Sequence, residues 1–245
     1  PKAAVAGGVT TYMEMPNTKP GAVSPELLES KYSKAADVSL ANYSFYMGTT
    51  NDNLEDVRSI DYSKVCGVKI FMGSSTGNML VDSIKALEGL FCKTKVIIAT
   101  HCEDDPMIAE NLAKYSYKYG KDIPINLHPL IRSREACYAS SSKAVEMARK
   151  CSTQLHILHI STKEELELFR NDIPLKEKKI TAEACVHHLW FCDEDYAEKG
   201  TLIKWNPAVK TAEDREAIWE AVLDDRIDVI ATDHAPHTLE EKDNP

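Results

Sequence analysis

The sequence has few of the features that mark fibrous, disordered or membrane proteins. It holds 10 glycines and 11 prolines among 245 residues, and no segment is low in complexity, so collagen-like and disordered proteins are excluded. It also shows no apolar run of membrane-spanning length and no secretory signal pattern. These absences predict a globular protein, which we assign to the cytoplasm and away from membranes.

Cysteine and positive charge are also limited. The seven cysteines are an odd number without a Cys-x-x-Cys pair, and most lie in apolar runs, which predicts reduced thiols. Lys and Arg number 29 against 38 Asp and Glu, for a net charge of -9. That balance argues against a nucleic-acid partner or an anionic membrane surface. The charge says little about the substrate, because a local pocket can be positive on an acidic protein. We expect a small molecule as the partner, and a homo-oligomer stays open.

What the sequence does contain is a regular alternation of strand-like and helical patterns. The predicted strands are Val9–Met15, Ser44–Gly48, Cys66–Met72, Val96–His101, Leu155–Ser161, Lys179–Cys185 and Asp228–Asp233, with Leu202–Trp205 as a candidate for one more. The predicted helices between them are Ser24–Ala36, Asn53–Asp61 (helix or loop), Asp82–Phe91, Pro106–Tyr119, Ser133–Lys150, Lys163–Asn171 and Ala212–Leu223. This order favours an α/β fold of the (β/α)8 TIM-type barrel class that lacks one strand, over an open doubly wound sheet.

Both ends of the sequence look cut. The first residues, 1–8, resemble the end of a helix with its glycine stop, although no helix start precedes them. The last residues, Glu240–Pro245, end in a loop. We therefore expect one barrel domain over residues 1–245 that is truncated at both ends and lacks its first strand.

Polar residues stand at the carboxyl ends of several predicted strands, which is where α/β folds bind ligands. Asp233 ends the last strand, and strict alternation places it on the same face as Val229 and Ala231. Asn17 follows the first strand, and on its own it is better interpreted as a turn residue. Lys69 lies inside an apolar strand. It is either paired with an acid, or unprotonated and able to take up CO2 as a metal-bridging carbamate.

Histidines complete this set. His101 ends one strand and His159 lies near the end of the next, so both are candidate metal ligands. His156, three residues earlier, points to the other face and is expected to pack against a helix. His187 and His188 are adjacent, so at most one supports a ligand. Nitrogen and oxygen donors without cysteine suit zinc or a similar ion in a catalytic site.

Several motifs then resemble those of the cyclic amidohydrolases, most closely the dihydroorotases, over essentially the whole chain. Such a family implies a (β/α)8 barrel with two zinc ions at the strand ends. The motifs that carry the resemblance are Gly7–Thr11, Met15–Thr18, Val68–Met72, His101–Asp104, His159–Glu164, Asn206–Pro207 and Thr232–His237.

The resemblance also implies a role for each matching residue. Lys69 corresponds to the carboxylated lysine that bridges the metals, and His101 and His159 to ligands of the more buried ion. Asp233 corresponds to the metal-bound general base. By the same resemblance, Asn17 and His237 hold the substrate carboxylate and Asn206 lies at the pyrimidine ring.

Some family features have no counterpart here. The His-x-His pair and an Arg of the family's first strand fall upstream of residue 1, and the family's small β domain is missing. Lys210 stands where many relatives have Arg. The resemblance implies interconversion of dihydroorotate and N-carbamoyl-aspartate. A hydantoinase or allantoinase activity, or a non-catalytic scaffold, are the alternatives.

Overall fold

The computed structural model describes residues 1–73 and 78–243, in which strands and helices alternate. The seven strands are β1 (Thr11–Glu14), β2 (Asn42–Gly48), β3 (Gly67–Phe71), β4 (Ile98–His101), β5 (Leu155–Ile157), β6 (Ile180–Cys185) and β7 (Val229–Ala231). The longer helices are α2 (Pro25–Val38), α4 (Ile84–Lys93), α5 (Asp105–Tyr119), α7 (Arg134–Cys151) and α10 (Ala212–Leu223). The short helices are α1 (Lys2–Ala6), α3 (Leu54–Ser59), α6 (His128–Ile131), α8 (Val186–Trp190), α9 (Tyr196–Lys199) and α11 (Leu239–Lys242). Turns of 3₁₀ helix occupy Tyr62–Lys64, Ile125–Leu127, Glu164–Leu168, Leu175–Glu177, Asp193–Asp195 and Gly200–Ile203.

The strands follow their chain order in the sheet, from β1 to β7. The pairs β1–β2, β2–β3 and β6–β7 are parallel, and in the last of these Cys185 is opposite Ala231. Parallel neighbours joined by helical crossovers are the mark of α/β barrels. The predicted fold class, a (β/α)8 TIM-type barrel, is confirmed, with seven strands in the described ranges.

Helix starts follow local capping chemistry. The Ser24 side chain accepts a hydrogen bond from the Leu27 amide at 3.3 Å, and Pro25 occupies the first turn of α2, as its sequence predicts. At α10 the capping is reciprocal, since Thr211 and Asp214 each accept from the other's backbone amide. These caps place both helices where the sequence predicts them.

The chain forms two compact units. The first unit comprises Pro1–Thr100 and Met147–Leu155, and the second comprises His101–Glu146 and His156–Pro245. In the first unit β2 and β3 bury apolar side chains on both faces. An added Cβ at Gly67 would lie 2.9 Å from the carbonyl oxygen of Ile97, just before β4, and 2.7 Å from the ring of Tyr46 on β2. The close approach of these two neighbouring segments therefore requires glycine there.

Apolar clusters of the second unit lie under its helices. Ile108, Ile131 and Ala136 form one cluster. Tyr196, Ile203 and Val209 form another, against which Trp205 packs. Because Trp205 packs against the second cluster, the neighbouring Asn206, a predicted substrate residue, is held in place as well.

Three predicted elements differ from those in the structure. Lys163–Asn171 is not an α-helix but a 3₁₀ turn over Glu164–Leu168, because the buried Glu165 carboxylate bonds to Ser141 at 2.5 Å and Thr162 at 2.9 Å and anchors a tight turn. The candidate strand Leu202–Trp205 is wrong, since Gly200–Ile203 forms a 3₁₀ turn. Near the end, Thr238 caps a helical turn where a loop was expected. Asn244 and Pro245 lie outside the described residues.

The expectation of reduced cysteines is wrong for one pair. Cys92 and Cys151, 59 residues apart in the first unit, form a disulfide, whereas the other five cysteines take part in no disulfide. The pairing joins the last turns of α4 and α7.

No helix within residues 1–73 and 78–243 combines the length and apolar character that crossing a membrane requires.

A buried ion pair makes a stability prediction. Lys178 Nζ lies 2.6 Å from Asp228 Oδ1, both side chains are only 3% exposed, and Asp228 also accepts from the Ala182 amide. Lys178→Met leaves a buried carboxylate without its cation and should lower the free energy of unfolding by about 3–5 kcal/mol. Denaturant titration measures this loss. Lys150→Met, which breaks the exposed pair with Glu88, is the control and should cost at most about 1 kcal/mol. Equal losses in both variants would contradict the prediction.

Candidate active site

Two of the predicted metal ligands meet in the second unit. His101 ends β4 and His159 follows β5, and their rings are 5% exposed each. His101 Nδ1 lies 3.0 Å from His159 Nε2, with the rings inclined at 72°. Two imidazole nitrogens on one tetrahedral zinc ion lie about 3.3 Å apart, given Zn–N bonds of about 2.0–2.1 Å. The spacing of this pair therefore suits a shared metal ion.

A buried carboxylate orients the first of these histidines. Glu103, fully buried, accepts from His101 Nε2 at 2.9 Å and from Arg132 on the same oxygen. Burial by itself raises the pKa of Glu103, but the hydrogen bond with His101 and the nearby positive charges outweigh it and lower the pKa to about 2. An ionised carboxylate keeps the proton on Nε2, so the lone pair of His101 is on Nδ1, toward His159. Sequence reasoning missed Glu103 as a partner, although the residue follows His101 closely.

A second buried acid supports the other histidine. Glu183 on β6 accepts from the His159 backbone amide at 3.3 Å and bonds to His156 Nε2 at 3.1 Å. His156 Nδ1 in turn lies 2.8 Å from Thr181 Oγ1. Both ring nitrogens of His156 therefore find polar partners on β6, which the sequence did not predict, and its packing against a helix stays a prediction.

His159 and Asp233 share a rare backbone conformation. Their φ angles are 41° and 43°, in the left-handed region that non-glycine residues seldom adopt. Such conformations cost energy and cluster at functional sites. They also end the strands early, so β5 stops at Ile157 and β7 at Ala231. The predicted alternation therefore does not extend to Asp233, and nothing in the sequence signals this turn.

Asp233 lies beside residues from the end of β6. The donor atoms of Cys185, His187 and Asp233 lie within 4.8 Å of one another, with the first two buried and the third exposed. Burial, and then the charge of Lys242, lowers the pKa of His187 to about 4. Burial and the negative charges of Glu183 and Asp233 raise the pKa of the Cys185 thiol. Neither Cys185 nor His187 was predicted as a ligand.

Aromatic stacking and a backbone contact fix the two adjacent histidines. The His187 ring stacks on Trp205, with centroids 4.4 Å apart. His188 Nε2 donates to the Pro207 carbonyl at 3.1 Å, and Pro207 follows Asn206 through a cis peptide bond. The two side chains thus serve different neighbours, as their adjacency predicts.

The predicted substrate residues of the second unit are accessible. Asn206 and His237 are exposed, and His237 Nδ1 lies 3.5 Å from Glu241 in the following helical turn. Lys210 is buried and donates to the Ala208 carbonyl at 3.0 Å. The amide of Asn206 and the imidazole of His237 are therefore both accessible to solvent.

The first unit holds the other two predicted residues. Lys69 on β3 is 2% exposed. Its Nζ lies 4.4 Å from the centroid of the Phe71 ring, and its carbonyl accepts from Thr49 at 2.9 Å. Asn17 follows β1 and is exposed. Lys69 is thus buried, and a buried lysine needs either a partner or a neutral amine, which are the two interpretations that its sequence position allows.

Comparison with known sequences gives one consistent family. A family model described as Dihydro-orotase-like matches residues 1–165. The chain is 33% identical over 248 residues to a dihydroorotase of Shouchella clausii, covering 98% of this chain and 55% of the relative. It is 35% identical over 243 residues to a dihydroorotase of Pyrococcus abyssi, covering 99% of this chain and 51% of that one. The chain thus spans about half the length of the curated relatives it matches.

Solved structures share the fold. An L-hydantoinase from Arthrobacter aurescens superposes with a TM-score of 0.91 at 23% identity, over 99% of this chain and 54% of the other. An inactive dihydroorotase-like domain of a multifunctional protein from Chaetomium thermophilum gives a TM-score of 0.65 at 19% identity, over 98% of this chain and 58% of that one. At these identities the likeness concerns the fold alone.

His128 makes a pH prediction. Its Nε2 donates to the Trp205 carbonyl at 2.8 Å, and burial lowers its pKa from 6.5 to about 4. The unfolded state therefore binds a proton at higher pH than the folded state, and stability falls as pH drops from 6.5 toward 4. At about 1.4 kcal/mol per pH unit, the loss due to His128 is at most about 3 kcal/mol.

Denaturant unfolding at several pH values checks it. His128→Gln should reduce the pH dependence of the free energy of unfolding between pH 6.5 and 4, while His187, whose pKa is also lowered, keeps its own share. His237→Gln, at an exposed position, should keep the wild-type slope. An unchanged slope in His128→Gln would show that this imidazole is not held neutral.

Proposed function

Because the chain belongs to the dihydro-orotase-like family, we propose that it forms the barrel part of a metal-dependent dihydroorotase. The reaction is the reversible hydrolysis of dihydroorotate to N-carbamoyl-aspartate in pyrimidine biosynthesis. The observation that carries the proposal is the pairing of His101 and His159 at 3.0 Å, with Glu103 fixing the proton of His101. The dihydroorotase relatives support the substrate, and their length makes the whole protein's activity a proposal.

The donor set fits zinc. His101 and His159 offer imidazole nitrogens at a spacing close to that on one ion, and acids orient both residues. Lys69 is the proposed carboxylated lysine, formed when its neutral amine adds to CO2 and releases a proton. Asp233 is the proposed oxygen ligand. Two zinc ions, when bound, supply Lewis acidity that lowers the pKa of water and polarises the amide carbonyl.

The protein groups handle the proton and the substrate. Asp233 takes the proton from the attacking water as the new C–O bond forms, and gives it to the ring nitrogen as the C–N bond breaks. Asn17 and His237 are proposed to hold the substrate carboxylate and Asn206 the pyrimidine ring. The exposure of all three supports access from solvent.

Two alternatives to a dihydroorotase are an enzyme that acts on another cyclic amide and a scaffold protein without catalytic activity. A hydantoinase or allantoinase would open other cyclic amides with the same metal-ligand set. A scaffold relative would have lost ligands, whereas Lys69, His101, His159 and Asp233 are all present in this sequence. Turnover of dihydroorotate, hydantoin and allantoin by the protein, with its metal content, separates the three.

Asp233→Asn tests the proposed base. Asparagine tolerates the left-handed backbone at this position but accepts no proton, so kcat should fall about 10²–10⁴-fold. Steady-state turnover of dihydroorotate measures it. Asp225→Asn changes another aspartate with positive φ and should leave kcat unchanged. Full activity in Asp233→Asn would remove this residue from the chemistry.

Lys69→Ala tests the proposed carbamate. The variant should lose most activity and regain part of it when short carboxylic acids are added, since a carboxylate can replace the bridging oxygens. The same acids should not accelerate the wild-type protein. A variant that stays active without them would show that Lys69 is a structural residue.

A further inference from the structure

A second group of metal-type donors lies at the adjoining ends of β6 and β7. Cys185 is the last residue of β6 and His187 lies two residues beyond it. Asp233 lies two residues beyond β7. Because the strands are parallel and Cys185 is opposite Ala231, all three donors come to the same edge of the sheet. Their donor atoms lie within 4.8 Å of one another.

The surroundings of these donors favour a cation. Cys185 is fully buried, and its Sγ lies 3.9 Å from Glu183 Oε1. With Asp233, this places two carboxylates around the thiol. His187 is 7% exposed, and its Nε2 is buried with no hydrogen-bond partner among the residues that the structure describes. A buried polar atom left unsatisfied is costly, and a ligand would remove that cost.

We propose that Cys185, His187 and Asp233 bind a thiophilic divalent cation such as Zn²⁺ or Cd²⁺, at a site separate from the His101–His159 pair. Sulfur, imidazole and carboxylate donors together suit zinc-like ions, whereas Mg²⁺ and Ca²⁺ take oxygen donors. The thiol loses its proton to solvent when the sulfur donates its electron pair to the ion.

The donors need only a small movement to close on an ion. With Zn–S and Zn–N bonds of about 2.3 and 2.0 Å, two such donors on a tetrahedral ion lie about 3.5 Å apart. The observed limit of 4.8 Å leaves roughly 1 Å to cover. Asp233 is exposed and follows the end of its strand, so it can move toward the buried Cys185 and His187.

Asp233 would serve both as a ligand of this site and as the general base of the reaction. Metal binding here should therefore affect catalysis, an inference that rests on the proposed function. An ion at Cys185 and His187 would draw the Asp233 carboxylate away from its role as general base. Excess zinc should then inhibit dihydroorotate turnover, and Cys185→Ser should relieve that inhibition.

Cobalt(II) tests the site without reference to catalysis. Bound thiolate gives Co²⁺ a charge-transfer absorption in the near ultraviolet, which imidazole and carboxylate ligands do not give. Metal-free, reduced protein titrated with Co²⁺ should show this band. Cys185→Ser should abolish it, and Cys102→Ser, which removes another buried thiol outside the disulfide and next to His101, should retain it.

A second variant covers the case in which Cys185→Ser fails to fold. Asp233→Asn, at an exposed position, should keep the band but weaken the Co²⁺ affinity at least about tenfold, since even outer partners of metal ligands cost 10–100-fold. Absence of the band in the wild-type protein, its survival in Cys185→Ser, or unchanged affinity in Asp233→Asn would overturn the site. A cobalt band in the wild-type protein, combined with no dihydroorotate turnover by zinc-loaded Cys185→Ser, in which this site cannot form, would instead support this site and count against the proposed function.

Discussion

Parallel pairing of neighbouring strands is the constraint on which the candidate site depends. When strands run in one direction and follow their chain order, residues just beyond their carboxyl ends meet at one edge. In the second unit the β6–β7 register, with Cys185 opposite Ala231, places the segment after β7 next to the start of α8. A slip of one residue would turn every side chain of β7 to the other face. The meeting of Cys185 with Asp233 is therefore a property of the register.

Buried carboxylates are the second organising feature of this unit. Glu103 and Glu183 each hold one of the site histidines, and neither carboxylate has to be a metal ligand to matter. Buried acids need charge or hydrogen-bond partners, and His101 and Arg132 supply them for Glu103. Glu103 thus sets the orientation of the His101 imidazole, whereas Glu183 holds the backbone of His159.

Sequence reasoning succeeded where the signal is local. The alternation of patterns predicted all seven strands, and the Ser24–Pro25 pair predicted the start of α2. It failed where the partner is distant in sequence. Arg132 reaches Glu103 from 29 residues away, and Cys92 meets Cys151 from 59. Only the folded chain brings such pairs together.

The residues of the candidate site also fall into those that local signals predicted and those that only the fold brings together. His101, His159 and Asp233 were predicted from their positions at strand ends, and His101 and His159 do meet. The left-handed turns at His159 and Asp233 were not predicted, because tertiary packing selects them. The meeting of Asp233 with Cys185 and His187 depends on such a turn and on the register of β7, which no pattern in the sequence specifies.

The left-handed conformation of His159 and Asp233 sets stability against function at these two positions. Glycine adopts this backbone freely, whereas other residues lose about 1–2 kcal/mol there. Glycine at either place would relieve this backbone cost but would remove a side chain of the candidate site, so such a substitution would exchange function for stability.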